Sequence, residues 1–283
     1  MCSTIKQLIN LAYSQLLKSK IDSALLDIQI LLSKAIDKDR SFVICNPEFI
    51  VTKSQEEVFR TLIDRRSKHE PVSHIIGYRE FYSRDFIVTK DVLDPRADTE
   101  TLIDIVKEIY SNNHIFNFLD IGCGSGAISV TILAEFTNSK GFCIDISEKA
   151  LNIAQKNAKK HKVDQKATFI KSNIFEKLPK NSFFDLIISN PPYIPSKNIE
   201  FLEKQVSEYD PKIALDGGDD GLDFYRFISK NAQKYLKTGG KLLFEIGFDQ
   251  KIQIIDILSK DSYKNIKSFK DLGKNDRAIL AEM

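Results

Sequence analysis

Apolar positions in the first part of the chain repeat with the period of an α-helix. Ile5, Leu8, Ile9, Ala12, Leu16 and Leu17 follow the spacing of one helix face, which predicts a first helix. Asp22 is placed to cap a second helix carrying Leu25, Leu26, Ile28 and Leu32. Ser54-Gln-Glu-Glu57 has the form of a capping box ahead of Val58, Leu62 and Ile63, which predicts another. Between about Pro71 and Leu93 the period changes. Phe81–Val88 is short and β-prone, and Gly77 offers a turn, so a hairpin is expected there. From Thr99 onward strand-like and helical runs alternate. The expected strands are Phe116–Ile121, Gly141–Ile146, Ala167–Lys171, Phe183–Ser189, Lys241–Ile246 and Arg277–Ala281, with another near Ile266. Helical patterns separate the earlier strands, so the expected fold class is α/β, a doubly wound, mostly parallel sheet. The expected domains are 1–70 helical, 71–98 a hairpin connector and 99–283 the α/β domain.

Composition narrows the class further. The 283 residues are 42% apolar and 28% charged, the profile of an ordinary globular chain with one or two domains. Forty-one basic against 39 acidic residues leave a formal charge of +2. No segment concentrates the basic charge of a strong nucleic-acid binder. Cys2, Cys45, Cys123 and Cys143 form no CxxC pair, so neither a metal site nor a disulfide framework is expected. The N-terminus lacks the apolar core of a signal peptide, and no run of about 18 apolar residues spans a bilayer. A cytoplasmic protein with reduced thiols is the expectation.

Leu119-Asp-Ile-Gly-Cys-Gly-Ser-Gly126 follows an expected strand and precedes the helical stretch Ala127–Phe136. Its glycines let the backbone turn tightly and come close to a ligand. The spacing is GxGxG rather than the dinucleotide GxGxxG. Asp120 is poorly placed beside a pyrophosphate and suits an amine-bearing ligand. A purely structural turn is the other reading. Asp145 ends the next strand, where a carboxylate binds both hydroxyls of a ribose. Capping the helix that starts at Ser147 is its alternative role, and both coexist without conflict. Asp120, Gly122, Cys123, Gly124, Ser125, Gly126 and Asp145 together suit a nucleoside with an amino-acid tail. This pattern resembles the S-adenosylmethionine site of class I methyltransferases. Asn173 then fits the position that touches the adenine N6 amine, with Ile174 along the ring; an ordinary turn is the alternative.

Asn190-Pro191-Pro192-Tyr193 directly follows the strand-like Phe183–Ser189. Two prolines end a strand abruptly, because neither donates to a ladder. The result is a stiff slot at a strand's carboxyl end, suited to a planar, uncharged nitrogen. A sulfonium methyl is already activated, so catalysis requires alignment of a nitrogen lone pair and exclusion of water. An amide nitrogen is a poor nucleophile, its lone pair being delocalised. The Asn190 side-chain oxygen and the Pro191 carbonyl would accept its two N–H bonds and stabilise developing charge. Tyr193 would stack on the planar group. A mere strand-ending turn is the alternative.

Three further segments carry a wider resemblance: Glu70–Phe81, Val92–Glu100 and Tyr209–Leu222. In order and content, around the glycine loop and Asn190–Tyr193, the chain resembles the HemK-type (PrmC-like) protein-(glutamine-N5) methyltransferases. The resemblance implies a class I methyltransferase domain at 99–283, a substrate-recognition domain at 1–70, and S-adenosylmethionine as cofactor. It implies methylation of the glutamine in the Gly-Gly-Gln motif of peptide chain release factors. Catalysis would fall to Asn190, Pro191 and Tyr193. Asn190, Pro191, Pro192 and Tyr193 would hold the glutamine, with Asn190 also on the cofactor. Arg96, Thr99 and Glu100 match a PRxxTE signature whose individual roles the sequence does not give. Two departures stand out. Asp94-Pro-Arg-Ala97 replaces Ile-Pro-Arg-Pro, and Asn173-Ile174 replaces an Asp-Trp pair, which removes a large stacking surface. A monomer that binds neither membrane nor nucleic acid is expected. The alternatives are a ribosomal-protein glutamine methyltransferase, an adenine-N6 nucleic-acid methyltransferase, and a non-catalytic release-factor-binding module. Only the continuation of the sheet follows Tyr193, which leaves no target-recognition domain for a base-flipping enzyme.

Overall fold

Thr4 and Thr52 open two helices by the same device in the computed structural model, which describes residues 3–111, 113–179 and 181–283. Each hydroxyl accepts the backbone N–H three residues on, while Gln7 and Gln55 reach back to the threonine N–H. The helices of this region are α1 (Ile5–Lys18), α2 (Ala24–Ile36), α3 (Arg40–Cys45), α4 (Lys53–Ser67) and α5 (Val72–Ile76). The capping box expected at Ser54–Glu57 does not form, because Thr52 already satisfies the donors two residues earlier. Asp22 does not cap α2; Ser23 holds that position, without a side-chain bond. Leu17, Leu25, Leu26 and Val58 are exposed. The buried stripes run instead through Ile5, Leu8, Ala12 and Leu16, through Ile28, Leu31 and Leu32, and through Phe59 and Ile63. A buried ion pair, Arg66 Nε to Asp27 at 2.7 Å, ties α4 to α2. Cys2 lies outside the described residues.

The chain divides into two compact units, Met1–Tyr78 with Glu203–Tyr209, and Arg79–Leu202 with Asp210–Met283. The division falls within β1 (Tyr78–Phe81), which pairs with β2 (Arg84–Ile87). Residues 71–98 are therefore not a body of their own. Ile75 of α5 joins the core of the first unit, and Phe81 and Phe86 join the core of the second. Gly77 does not make the hairpin turn; it caps α5 with φ +85°. The turn is made by Tyr82 and Ser83, both left-handed at φ 50° and 57°.

In the second unit β2 is followed by α6 (Glu100–Ile109), β3 (Asn117–Ile121), α7 (Ala127–Glu135), β4 (Lys140–Asp145) and α8 (Glu148–Lys160). Then come β5 (Ala167–Lys171) and β6 (Phe184–Ser189), while α9 (Lys204–Ser207) lies in the segment belonging to the first unit. The sheet closes with α10 (Asp223–Ala232), β7 (Leu236–Glu245), α11 (Lys251–Lys260), β8 (Lys264–Lys270) and β9 (Asp276–Glu282). Strand β7 begins before the expected Lys241, running through Gly239 and Gly240.

Strand order is β5-β4-β3-β6-β7-β9-β8. The first five run parallel, and β9 is antiparallel to both its neighbours. The chain winds outward from β3 to β5, then crosses to β6 on the other side of β3. Such a reversal opens a crevice at the carboxyl ends of β3 and β6, where open α/β sheets bind ligands. The register pairs Ile121 with Ser189, so the glycine loop and Asn190 leave the sheet side by side. Ser189 Oγ donates to the Ile121 carbonyl at 2.8 Å and fixes that alignment. Among the described residues no helix is long and apolar enough to cross a membrane.

Candidate active site

The crevice is a cleft that encloses about 900 Å³ when its open mouth is included. Its floor is the edge of the sheet: Ile121, Gly122 and Gly124 after β3, Ile144 and Asp145 on β4, and Ser189 and Asn190 after β6. Gly122 and Cys123 donate their backbone N–H to the Ile144 carbonyl at 2.9 and 3.0 Å, which folds the glycine loop over β4. Gly124 has φ +54°, and nothing lies within 4 Å of the place a Cβ would take. A side chain there would strain the backbone and project into the cleft.

Asp145 joins loop and helix. Its two oxygens accept from Gly124 N at 2.9 Å and from Ser147 N at 2.8 Å. Burial raises its pKa, while those backbone N–H groups oppose the rise. Ser147, rather than Asp145, caps α8, its hydroxyl accepting from Ala150 N. Each Asp145 oxygen retains acceptor capacity toward the cleft.

Six of the cofactor positions expected from sequence line this cleft together: Gly122, Gly124, Asp145, Asn173, Ile174 and Asn190. Pro191 and Pro192 line it as well. Asp120, Cys123, Ser125 and Gly126 do not, and their places explain why. Asp120 is fully buried on β3, and burial lifts its pKa to about 7. Cys123 packs with Cys143, Leu151 and Ala154. The Ser125 carbonyl accepts from Asn157 Nδ2 at 2.8 Å. Gly126 starts α7 against Ala154, whose Cβ lies 3.1 Å from where its own would stand. Asn173 donates to Glu176 at 2.9 Å, and Ile174 is left-handed at φ 49° with its carbonyl bound by Ser172 Oγ.

Tyr193 is not a wall of the cleft. It packs against the core on one side of the sheet. Burial first, then the nearby Glu245 carboxylate, pushes its pKa up to about 12. Its carbonyl accepts from Gln250 Nε2 at 2.9 Å. Gln250 also bonds the Gly221 carbonyl and the Gly247 N–H, so one buried amide ties three loops together.

The three signature residues have distinct partners. Arg96 pairs with Asp210 at 2.6 Å, and the Asp210 side chain is 1% exposed. Burial raises Asp210 to about 6, against the opposing charge of Arg96. This pair anchors the segment from which Pro211, Ile213 and Ala214 reach the cleft. Glu100 accepts from Tyr82 N at 2.8 Å and holds the hairpin turn. Thr99 Oγ1 accepts from Asn190 Nδ2 at 3.4 Å.

Sequence reasoning missed Leu93, Pro211 and Phe224, which supply apolar walls, and Glu245, which ends β7 beside Asn190. A rule that strand carboxyl ends carry chemistry would have found Glu245. It also missed Asn157, whose amide bonds Ile87 N, Ile87 O and Ser125 O and ties the hairpin to the glycine loop.

Two domain families match the chain. A PrmC N-terminal domain matches residues 7–77, and a methyltransferase domain matches residues 112–264. A release factor glutamine methyltransferase of Clostridium botulinum is 39% identical over 278 residues, covering 98% of each chain. A bifunctional methyltransferase of Rickettsia felis is 38% identical across 98% of this chain, which spans 58% of that longer protein. Among solved structures, a methyltransferase from Pyrococcus furiosus aligns with a TM-score of 0.55 at 18% identity, over 77% of this chain and 98% of that one. That last likeness concerns the fold alone: the class I methyltransferase sheet.

Proposed function

The chain belongs to the release factor glutamine methyltransferase family, and we propose that its reaction takes place in the cleft at Asn190. It is an S-adenosylmethionine-dependent enzyme that methylates glutamine in release factors. The atom we assign as acceptor is the side-chain nitrogen, N5, of the glutamine in the Gly-Gly-Gln motif. The observation that carries the assignment is the register of β3 with β6, which sets Asn190 beside the glycine loop.

The residues present fit the cofactor. Gly122 and Gly124 leave open space where side chains would otherwise stand, and Asp145 offers acceptors at the end of β4. Asn173 and Ile174 line the far wall, where an adenine would lie. When bound, S-adenosylmethionine supplies a methyl group already activated by its sulfonium. The protein's own task is alignment. Asn190 Oδ1 and the Pro191 carbonyl accept the two N–H bonds of the glutamine amide, which turns its lone pair toward the cofactor. Their partial negative charge stabilises the positive charge that develops on nitrogen. Tyr193 acts from behind, its half-buried ring and its carbonyl bond to Gln250 fixing the course of the loop.

The first unit is proposed to dock the release factor. Between α1 and α4 it carries a groove lined by Leu8, Leu11, Ala12, Phe59 and Ile63, with Arg60 and Asp64 alongside. We assign the enzyme to the cytoplasm as a monomer that reads protein rather than nucleic acid. The test is methyl transfer from labelled S-adenosylmethionine to release factor, its Gln→Ala variant, a ribosomal protein and DNA. Label on release factor that vanishes in the glutamine variant is expected. Label on the ribosomal protein or DNA alone would overturn the substrate. Asn190→Ala is expected to lower kcat by at least about 100-fold with the fold intact.

A further inference from the structure

Thr99 stands at the start of α6, yet its side chain caps nothing there. Its hydroxyl meets the Asn190 amide instead, Nδ2 donating to Oγ1 at 3.4 Å. Thr99 and Asn190 both face the Glu245 carboxyl. Glu245 follows Phe244, which pairs with Ser189, so it sits beside Asn190 at the carboxyl edge of the sheet. Thr99 and Glu245 are both buried, and Glu245 Oε2 has no hydrogen-bond partner among the described residues.

A carboxamide has two ends of nearly equal shape, and only hydrogen bonding chooses between them. Above about pH 7 Glu245 is a carboxylate, which accepts and cannot donate. Thr99 Oγ1 accepts from Asn190 Nδ2 and keeps its own proton for the side that Glu245 faces. The Asn190 group that faces Thr99 and Glu245 must therefore be the NH2, which leaves Oδ1 for the cleft. The reversed amide would point N–H groups at the N–H groups of the acceptor, and would set its oxygen against a buried carboxylate.

We propose that Thr99 and Glu245 are positioning residues that hold Asn190 with Nδ2 inward and Oδ1 presented to the glutamine amide. This rests on the reading of Asn190 as the group that accepts from the substrate amide. Arg277 completes the arrangement from β9. It faces Glu245 while pairing with Asp98 at 3.2 Å and Asp271 at 3.1 Å.

The experiment measures kcat, KM for release factor and equilibrium binding of S-adenosylmethionine for Thr99→Val, Thr99→Ser, Glu245→Gln and Asn190→Ala in the full chain. Thr99→Val keeps the side-chain shape and removes the hydroxyl that accepts from Asn190. It is expected to lower kcat about 10- to 100-fold with cofactor binding unchanged, as misorientation of a reacting group does. Glu245→Gln is expected to lower kcat as well, and Thr99→Ser to restore most of it. The proposal is overturned if Asn190→Ala is inactive while Thr99→Val and Glu245→Gln both turn over like the wild type. It is overturned equally if Thr99→Val loses cofactor binding together with kcat, or if Thr99→Ser is as slow as Thr99→Val. An Asn190→Ala variant with full activity would instead overturn the reading of Asn190 itself.

Discussion

Asp120 has no exposed surface, and neither of its oxygens has a hydrogen-bond partner among the described residues. Ser129 faces it without reaching hydrogen-bond geometry. Burial lifts its pKa from 3.8 to about 7, the Ser129 groups that face it oppose the rise, and the neighbouring Asp145 charge adds to it. Below pH 3.8 the carboxyl is protonated whether the chain is folded or not, and nothing is lost. Between 3.8 and about 7 the folded chain keeps a proton that the unfolded chain has released. Stability therefore falls as pH rises through that window and levels off above it. At about 1.4 kcal/mol per tenfold change in affinity, the full cost is roughly 4 kcal/mol. Asp120→Asn keeps the shape without the charge. Urea unfolding at pH 5 and pH 8 is expected to find the variant gaining on the wild type as pH rises. Glu245, lifted from 4.5 to about 7 by the same cause, keeps part of the slope in the variant. Parallel curves for the two proteins would show that Asp120 is charged or solvated in the fold.

At the scale of elements, the loop after β6 is held by close backbone contact as much as by its prolines. A Cβ on Gly217 would lie 2.8 Å from the Pro192 carbonyl and 2.9 Å from both Tyr193 Cα and Gly221 Cα. All three are backbone atoms, so no side-chain rotation relieves the clash. Gly217→Ala is expected to push the Asn190–Tyr193 loop by some tenths of an ångström and cost about 1–3 kcal/mol of stability. Displacement of a positioned group by about 1 Å costs about 100-fold in rate, so kcat should fall well before cofactor binding does. Equal loss of both would place the damage in the fold. The strands were legible because each is a short apolar run bounded by punctuation such as Gly122 or Pro191. Leu25 and Leu26 misled because a leucine pair off the buried stripe looks the same in sequence as one on it. Gly77 misled because a helix cap and a hairpin turn both ask for positive φ. Asn157, and the role of Glu245 as distinct from its position, were illegible for a different reason. Their partners lie on elements far away in sequence and become neighbours only through the sheet order.

Across the whole molecule, chemistry and recognition have separate physical requirements. The cleft is walled by sheet ends, proline backbone and buried hydrogen bonds, a rigid frame suited to alignment. It is small, and a glutamine side chain looks the same in any protein, so selection of one glutamine needs surface elsewhere. The first unit offers such a surface: Leu11 on α1 is 59% exposed beside the groove that Phe59 and Ile63 line from α4. An exposed leucine carries little of the fold, so Leu11→Glu is expected to leave unfolding within about 0.5 kcal/mol of wild type. A charge buried against an apolar partner surface is costly, and loss of such an anchor typically amounts to about 1–2 kcal/mol. KM for release factor should then rise about 5- to 30-fold, while cofactor affinity and the rate at saturating substrate stay unchanged. That split belongs to docking alone, because damage to Asn190 or the glycine loop would appear in kcat or in cofactor binding. An unchanged KM would move the docking surface away from α1 and α4.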